Sequence, residues 1–263
     1  MNLAFAAIYV LAVWYSTTQV LLWMVRGMPK PALNAVALVL AVVSAVLAVM
    51  SAQEPSVHAA YVGFTAGIGL WAVFEICFLT GAILGIDQAP ASDRIGARAW
   101  SALKAIVWHE AALVGTLLVL VVATGGNPNP TAAATFGALW VMRASSKINL
   151  FLGVRNLCTE FLPAGVQHLS QHFRKRDMNP FFPFTVVCAT IAAALLLRSG
   201  LNPVTSPDQA TAAILIATLV SLGVAEHWLM LTPLSALDLW SADRRAGKGA
   251  MQSRQVGAIR TFG

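Results

Sequence analysis

The chain has 263 residues, of which 58% are hydrophobic and 11% are charged, and its mean hydropathy is +0.72. This composition leaves too few polar groups to cover a globule in water, which excludes a water-soluble domain and predicts an integral membrane protein. The net charge of +6 does not indicate a nucleic-acid partner, because the cations are sorted among short loops and form no separate basic domain.

Seven apolar segments are each long enough to cross a hydrocarbon core of about 30 Å as an α-helix. Turn-forming residues separate them, as in the run GGNPNP at 125–130. We therefore predict an all-α bundle of seven transmembrane helices, with spans at about 3–25, 31–50, 59–86, 102–123, 131–151, 181–199 and 211–232. The membrane domain covers 1–243 and includes a cytoplasmic amphipathic segment at about 155–178, and a basic cytoplasmic tail follows at 244–263.

The distribution of Lys and Arg predicts the orientation of the bundle. Sixteen of the seventeen fall on one side of the predicted spans, and only Arg198 falls on the other. Cytoplasmic loops of membrane proteins carry an excess of Lys and Arg, so this side is predicted to be cytoplasmic. The N-terminus then lies outside, in the periplasm, and the C-terminus lies in the cytoplasm.

Ionisable side chains inside the spans are the candidates for function. An unpaired charge in a membrane costs several kcal/mol, so charges at similar depth are expected to pair. We predict a buried charge network that joins spans three, four, five and seven, made of Glu75, Glu110, Arg143, Lys147 and Glu226. The network either fixes the helix arrangement as a polar latch or relays protons or ions.

Two histidines sit in mirrored triplets within the spans. Span four contains WHE at 108–110 and span seven contains EHW at 226–228, and the two spans run in opposite directions. A neutral imidazole beside an aromatic ring is a candidate axial ligand for the magnesium of a chlorophyll-type pigment, so His109 and His227 are candidate pigment ligands. The alternative is that each histidine is hydrogen-bonded to a neighbouring helix. No other metal site is predicted.

The residues after span five carry a family resemblance. The segment from Arg143 to Phe184, with the runs NLFLGVRN at 149–156, EFLP at 160–163 and MNP at 178–180, closely resembles the PuhE family of photosynthetic-complex assembly proteins of purple bacteria. The stretch 226–240 is similar to the last span of that family. The resemblance implies a multi-pass protein of the bacterial inner (photosynthetic, intracytoplasmic) membrane, encoded beside the reaction-centre H subunit. It also implies reaction-centre or light-harvesting polypeptides as partners and bacteriochlorophyll as a candidate cofactor.

The segment from Arg155 to Pro183 is the largest predicted cytoplasmic feature. Its apolar residues recur at spacings that favour an interfacial helix with one apolar face. Amides at Asn149, Asn156 and Asn179 add polar groups that could contact a protein. The predicted face for protein docking or membrane lipids consists of Arg155, Asn156, Glu160, Phe161, Arg174, Lys175 and Arg176. The alternative is that this charged run is only a solvated, lipid-facing surface.

Three functions are compatible with these features. The first is a non-enzymatic assembly factor for the reaction centre and light-harvesting complex, which holds a client polypeptide and bacteriochlorophyll. The second is a stable structural subunit of the mature complex. The third is a proton-relay transporter or membrane enzyme built on the charge network, which ranks last because the sequence has no Ser-His-Asp set, metal-spaced cluster or phosphate-binding loop. We therefore predict no catalytic residues and no enzyme activity.

Overall fold

The computed structural model describes residues 3–85, 95–157, 159, 162–163 and 165–232. These ranges contain seven long α-helices: α1 (Leu3–Gly27), α2 (Lys30–Ala52), α3 (Val57–Leu79), α4 (Ile95–Thr124), α5 (Thr131–Leu152), α6 (Phe181–Leu201) and α7 (Pro207–Leu229). A short 3₁₀ helix, Gln167–His172, lies between α5 and α6. The predicted all-α class is confirmed, since the described ranges hold one isolated bridge, between Val154 and Lys175, and no sheet.

The helices are those of a multi-pass membrane protein. Six of the seven in the described ranges are long and apolar enough to cross a membrane by length and composition. Their outer faces carry rows of exposed apolar side chains, such as Val39, Val42 and Val46 on α2. The helix that falls short is α5, whose last three turns contain two cations, two serines and an asparagine.

Three helices form the centre of the bundle. α3, α5 and α7 contact one another, α1 packs on α3 and α7, α2 on α3 and α4, α4 on α5, and α6 on α7 and α5. The largest core cluster lies among these helices and buries Phe64, Leu113, Phe136 and Ile214 almost completely. The charged half of α5 is therefore surrounded by other helices.

Two glycines of α3 allow a close approach to α5. Gly63 and Gly67 form a small-xxx-small pair, which predicts close helix packing. A Cβ at Gly67 would lie 2.8 Å from the carbonyl oxygen of Ala132 and 2.8 Å from Cβ of Thr135. The packing role is confirmed, because any side chain at Gly67 would push the two helices apart.

The fourth helix starts earlier than the predicted 102 and so contains Arg98. This side chain is only 5% exposed, donates from Nη2 to the carbonyl oxygen of Phe151 at 3.2 Å, and lies 4.4 Å from the centre of the Phe151 ring. The carbonyl and the ring together stabilise the buried cation. Because Arg98 has these partners, α4 can begin at Ile95, seven residues before the predicted start at 102.

The third helix ends at Leu79, before the predicted 86. Gly81 takes a positive φ of 75°, a conformation that glycine adopts without a Cβ penalty, and the chain turns back against α4. The carbonyl oxygen of Leu84 accepts hydrogen bonds from the backbone N–H groups of Trp108 and His109, at 2.9 and 3.0 Å. Residues 80–85 thus cover α4 at the level of the first histidine.

The predicted interfacial helix over 155–178 is wrong for the described residues. Gly153, at φ 121°, ends α5, and the chain returns so that Val154 and Arg174 are joined by a backbone hydrogen bond of 3.2 Å. Among the described residues of this segment, Gln167–His172 forms a 3₁₀ helix and none is α-helical. Val166 and Leu169 are buried against α4 rather than facing lipid. The apolar spacing reflects a cap folded onto the bundle, because backbone pairing and Pro163 interrupt a continuous helix.

Several predicted features fall outside the described residues. They are Glu160, Phe161, the end of the family-like stretch at 233–240 and the basic tail at 244–263.

Candidate functional site

The fifth helix presents polar side chains on two of its faces. Residues three and four apart lie on the same side of an α-helix, so Trp140, Arg143 and Lys147 form one row and Ser145 and Asn149 form another. The first row faces α3 and α4, where its partners lie. The second faces α6 and α7.

The deeper cation of the first row pairs with α3. Arg143 Nε lies 3.3 Å from Oε1 of Glu75, and Nη2 lies 3.4 Å from Oε2. This two-pronged contact uses both carboxylate oxygens and fixes the relative orientation of the two helices. The Glu75 side chain is only 14% exposed, whereas that of Arg143 keeps 41% of its surface accessible, so the guanidinium borders open space.

The second cation pairs with α4. Lys147 Nζ lies 2.5 Å from Oε1 of Glu110, and the indole N–H of Trp140 donates to Oε2 of the same carboxylate at 3.4 Å. The ammonium also lies 5.3 Å from the centre of the Phe78 ring, within range of a cation–π contact. Both charges of this pair are therefore stabilised by a third group.

The third carboxylate, on α7, has no ion-pair partner among the described residues. Glu226 lines the same cavity as Trp14 of α1 and Arg143 of α5. The five predicted network residues thus lie around α5, although not as one chain of direct contacts. They form two ion pairs and a carboxylate beside them, so three acids face two basic groups.

A cavity of about 290 Å³ lies between α1, α3, α5 and α7. Its polar lining comprises Trp14, Thr17, Thr18, Glu75, Arg143 and Glu226. The rest of its wall is apolar, with Trp71 as the largest side chain. This cavity is the open space beside the Arg143 guanidinium.

The histidine of α7 has both ring nitrogens in hydrogen bonds. Nδ1 of His227 lies 2.7 Å from the carbonyl oxygen of Gly223, and because a carbonyl only accepts, Nδ1 carries the hydrogen. The other nitrogen then accepts from the Ser145 hydroxyl at 2.8 Å. No lone pair is left for a pigment magnesium. His227 therefore fits the hydrogen-bonded alternative and does not fit the role of pigment ligand.

The histidine of α4 differs. His109 is 2% exposed, its ring centre lies 4.7 Å from that of Phe78, and its Nδ1 has no hydrogen-bond partner among the described residues. Trp108 and Trp228, which flank the two histidines, are 57% and 54% exposed, and the Trp228 ring lies 5.7 Å from that of Phe182 in an edge contact. Its unbonded nitrogen makes His109 the better candidate of the two, but the ring is buried, so a pigment could reach it only if the surrounding side chains moved.

Two buried amides join the end of α5 to the start of α6. Nδ2 of Asn179 donates to Oδ1 of Asn149 at 3.1 Å and to the carbonyl oxygen of Gly153 at 2.9 Å. Its Oδ1 accepts from the backbone N–H groups of Phe181 and Phe182, at 3.0 and 3.1 Å. Asn149 and Asn179 are 0% and 1% exposed, so their predicted use in protein docking is wrong. They instead hold the two helices together.

The cations of the predicted docking face remain at the surface. Arg155 pairs with the exposed Asp177 at 3.1 Å, Lys175 and Arg176 are exposed, and Arg174 is half-buried. Asn156 is half-buried, and its backbone N–H donates to the carbonyl oxygen of Met230 at 2.8 Å. This surface covers the end of the bundle at which α5 stops and α6 begins.

Comparison with known proteins assigns the chain to a family. The model of DUF3623, a family described as a protein of unknown function, matches residues 1–249. The chain belongs to the DUF3623 family. It is also 30% identical over 243 residues to an uncharacterized 30.4 kDa protein in the puhA 5′ region of Rhodobacter capsulatus, which covers 89% of this chain and 88% of that protein. No solved structure matches the chain with comparable significance.

The DUF3623 match includes every described helix, and therefore all five network residues and both histidines. Sequence reasoning missed several contributors in this DUF3623 protein, namely Trp14, Phe78, Arg98 and Trp140. The sequence does contain a signal for Trp140. It lies three residues before Arg143 and seven before Lys147, and this spacing places all three on one face of α5. The others come from helices distant in sequence, and spacing within one helix does not reveal them.

Proposed function

We propose that this DUF3623 protein is a PuhE-type assembly factor of the bacterial photosynthetic membrane, which holds a reaction-centre or light-harvesting polypeptide while the complex is built. One observation carries the proposal. The chain is similar over nearly its whole length to a Rhodobacter capsulatus protein located in the 5′ region of puhA, a photosynthesis gene. The surface most suitable for a client is the cationic end, with Arg155, Arg174, Lys175 and Arg176.

In this proposal α5 is a seventh span, although its composition is more polar than that of the other helices. α3, α4, α6 and α7 surround it, and they supply partners for its polar rows. The orientation has a periplasmic N-terminus and a cytoplasmic C-terminus, because the end with Arg26, Lys30 and the cap after α5 is rich in cations.

The charge network serves as a latch in this proposal. Each cation on α5 has a carboxylate partner on a different helix, which suits a structural role in holding α3, α4 and α5 in register. A second candidate, a proton or ion relay, is favoured by the cavity of about 290 Å³ beside Glu75, Arg143 and Glu226. The two roles predict different behaviour when charges are removed as pairs.

Pigment binding is a separate part of the proposal. It depends on His109, whose Nδ1 has no hydrogen bond among the described residues. Protein purified from phototrophic cells should carry bacteriochlorophyll absorbance that His109→Ala removes and His227→Ala leaves in place. Colourless wild-type protein, or equal pigment in both variants, would reject this part alone.

The assembly role is tested in a phototrophic strain that lacks the gene. The strain should contain several-fold fewer assembled reaction centres per cell by absorbance, and the wild-type gene should restore them. A tagged copy should co-purify with reaction-centre or light-harvesting polypeptides, but only in trace amounts with the mature particle. One copy per mature particle would instead establish a structural subunit, and normal complex levels in the deletion strain would refute both roles.

Complementation of the same deletion strain distinguishes the latch from the relay. The paired variant Glu75→Gln with Arg143→Met leaves the net charge unchanged but removes two ionisable groups that line the cavity. A latch predicts that this variant restores assembly. A relay predicts that it fails although the protein is present at normal abundance on an immunoblot.

A further inference from the structure

A long apolar groove runs along the outside of the bundle between α5, α6 and α7. Its volume is about 500 Å³, and its lining is almost entirely apolar, extending from Phe181 to Leu196 along α6. Phe184 and Val141, which lie at its edges, are 61% and 56% exposed, so the groove opens toward the surrounding membrane.

The groove exists because the side chains at its floor are small. Ala138 on α5 and Ala189 and Ala192 on α6 line it where larger residues would fill the space. α6 packs closely on α7 and less extensively on α5, and the buried Asn149–Asn179 contact joins α5 and α6 at one end only. A trough therefore remains open between the two helices beyond that contact.

The dimensions of the groove restrict what can occupy it. Phe181 and Leu196 are fifteen residues apart on α6, which corresponds to a length of ~22 Å at 1.5 Å per residue. The volume of about 500 Å³ then gives a mean cross-section of ~23 Å². A helix about 10 Å across would need roughly 80 Å², so the backbone of a partner helix cannot lie inside the groove and could only cover its open side. Apolar atoms in contact lie about 4.5 Å apart, so a chain one atom wide needs roughly 20 Å². The groove matches one extended hydrocarbon chain.

The charges at one end of the groove indicate the headgroup. Phe181, at that end, follows the exposed cations Lys175 and Arg176 by a few residues. The stem of Arg176 lies over Gly153, just past the end of α5, because a Cβ on that glycine would be 2.8 Å from Cγ of Arg176. Cations at the membrane surface attract anionic headgroups.

We propose that the α5–α6–α7 groove binds one acyl chain of an anionic phospholipid, whose phosphate lies beside Lys175 and Arg176. The lipid would fill the space between α5 and α6 and so act as part of the bundle surface. The inference rests on the shape and charge of this face and is independent of the role in photosynthetic assembly.

The test compares lipid retention by matched variants. Protein reconstituted in vesicles of phosphatidylglycerol and phosphatidylcholine is extracted in mild detergent, and bound lipid is counted by native mass spectrometry. Ala192→Phe fills the groove and should lower bound lipid several-fold. Val187→Phe adds a ring at an exposed position of α6 outside the groove lining and should retain wild-type binding. Elution volume on a sizing column shows that each variant is folded.

A second variant tests the headgroup contact without altering the groove. Lys175→Gln with Arg176→Gln should reduce the preference for phosphatidylglycerol over phosphatidylcholine by roughly thirtyfold, since each of the two cations near an anionic lipid contributes about 1 kcal/mol. Equal lipid retention by both phenylalanine variants would overturn the groove assignment. An unchanged preference in the glutamine variant, or recovery of an isoprenoid instead of a phospholipid from cells, would overturn the assignment of the ligand.

Discussion

The ion pair between Lys147 and Glu110 provides the sharpest test of the charge network. Both side chains keep less than a quarter of their surface accessible, at 23% and 22%, so solvent screening is weak. Removing one partner leaves a buried charge uncompensated, which typically destabilises by about 3 kcal/mol. Lys147→Met should therefore cost about 3 kcal/mol. Glu110→Gln should cost about 2 kcal/mol, because the amide oxygen still accepts from Trp140.

The double variant distinguishes a real pair from two independent effects. Lys147→Met with Glu110→Gln leaves no unpaired charge and should cost about 2 kcal/mol in total, a coupling energy of about 3 kcal/mol. Unfolding in mixed micelles with increasing dodecyl sulfate, followed by tryptophan fluorescence, measures each free energy of unfolding. Costs that simply add, near 5 kcal/mol for the double variant, would refute the pairing.

An exposed pair supplies the control. Arg155 and Asp177 have side chains that are 47% and 90% exposed and are joined at 3.1 Å. Exposed ion pairs contribute little, so the same cycle with Arg155→Met and Asp177→Asn should give a coupling energy below about 0.5 kcal/mol.

Three further predictions concern contacts between helices and use the same unfolding assay. Gly67→Ala should destabilise by about 1–3 kcal/mol because its Cβ would overlap α5, whereas Gly115→Ala, where no atom lies within 4 Å, should not destabilise; equal effects would contradict the packing. Asn179→Leu should cost roughly 3 kcal/mol, since it removes the cap of α6 and leaves buried partners unpaired, and a cost near zero would show that the amide contacts are dispensable. Ser145→Ala should cost only on the order of 1 kcal/mol, the typical value of one hydrogen bond between membrane helices, and a larger loss would give His227 more than a packing role.

The sequence was most informative about the elements governed by hydropathy and charge. The apolar runs predicted the positions of the helices. Because charged residues are rare in the apolar runs, Arg143 and Glu75 were predicted to need partners. The predicted helix boundaries were wrong where a polar side chain is hydrogen-bonded to a residue distant in sequence, as Arg98 is to the carbonyl oxygen of Phe151. Helix propensity and hydropathy describe one segment at a time, so they carry no information on such contacts.

The segment that follows α5 and folds onto the bundle is a second case in which the sequence did not reveal contacts between distant residues. Val166 and Leu169 have the spacing of an amphipathic helix, but the spacing alone does not specify whether their apolar face meets lipid or protein. The hydrogen bonds of Asn179 to Asn149 and Gly153 fix the chain in the second arrangement. An asparagine in a loop gives no sequence signal of this role, because the same residue is common in exposed turns.

The position of the cations on α5 has a consequence for biosynthesis. In the seven-span arrangement proposed above, α5 has to insert with two cations, and a Lys or Arg at the centre of a membrane helix costs about 2.5–3.5 kcal/mol during insertion by the translocon. It would then be the helix least able to enter the bilayer alone. Its two counter-ions, Glu75 on α3 and Glu110 on α4, are translated first. The order of synthesis therefore delivers the acids to the membrane before the bases, and α5 can be received by a preformed α3–α4 surface. Exchanging the charges of both pairs would preserve the contacts but reverse this order, and we expect it to lower the yield of inserted protein more than its stability once folded.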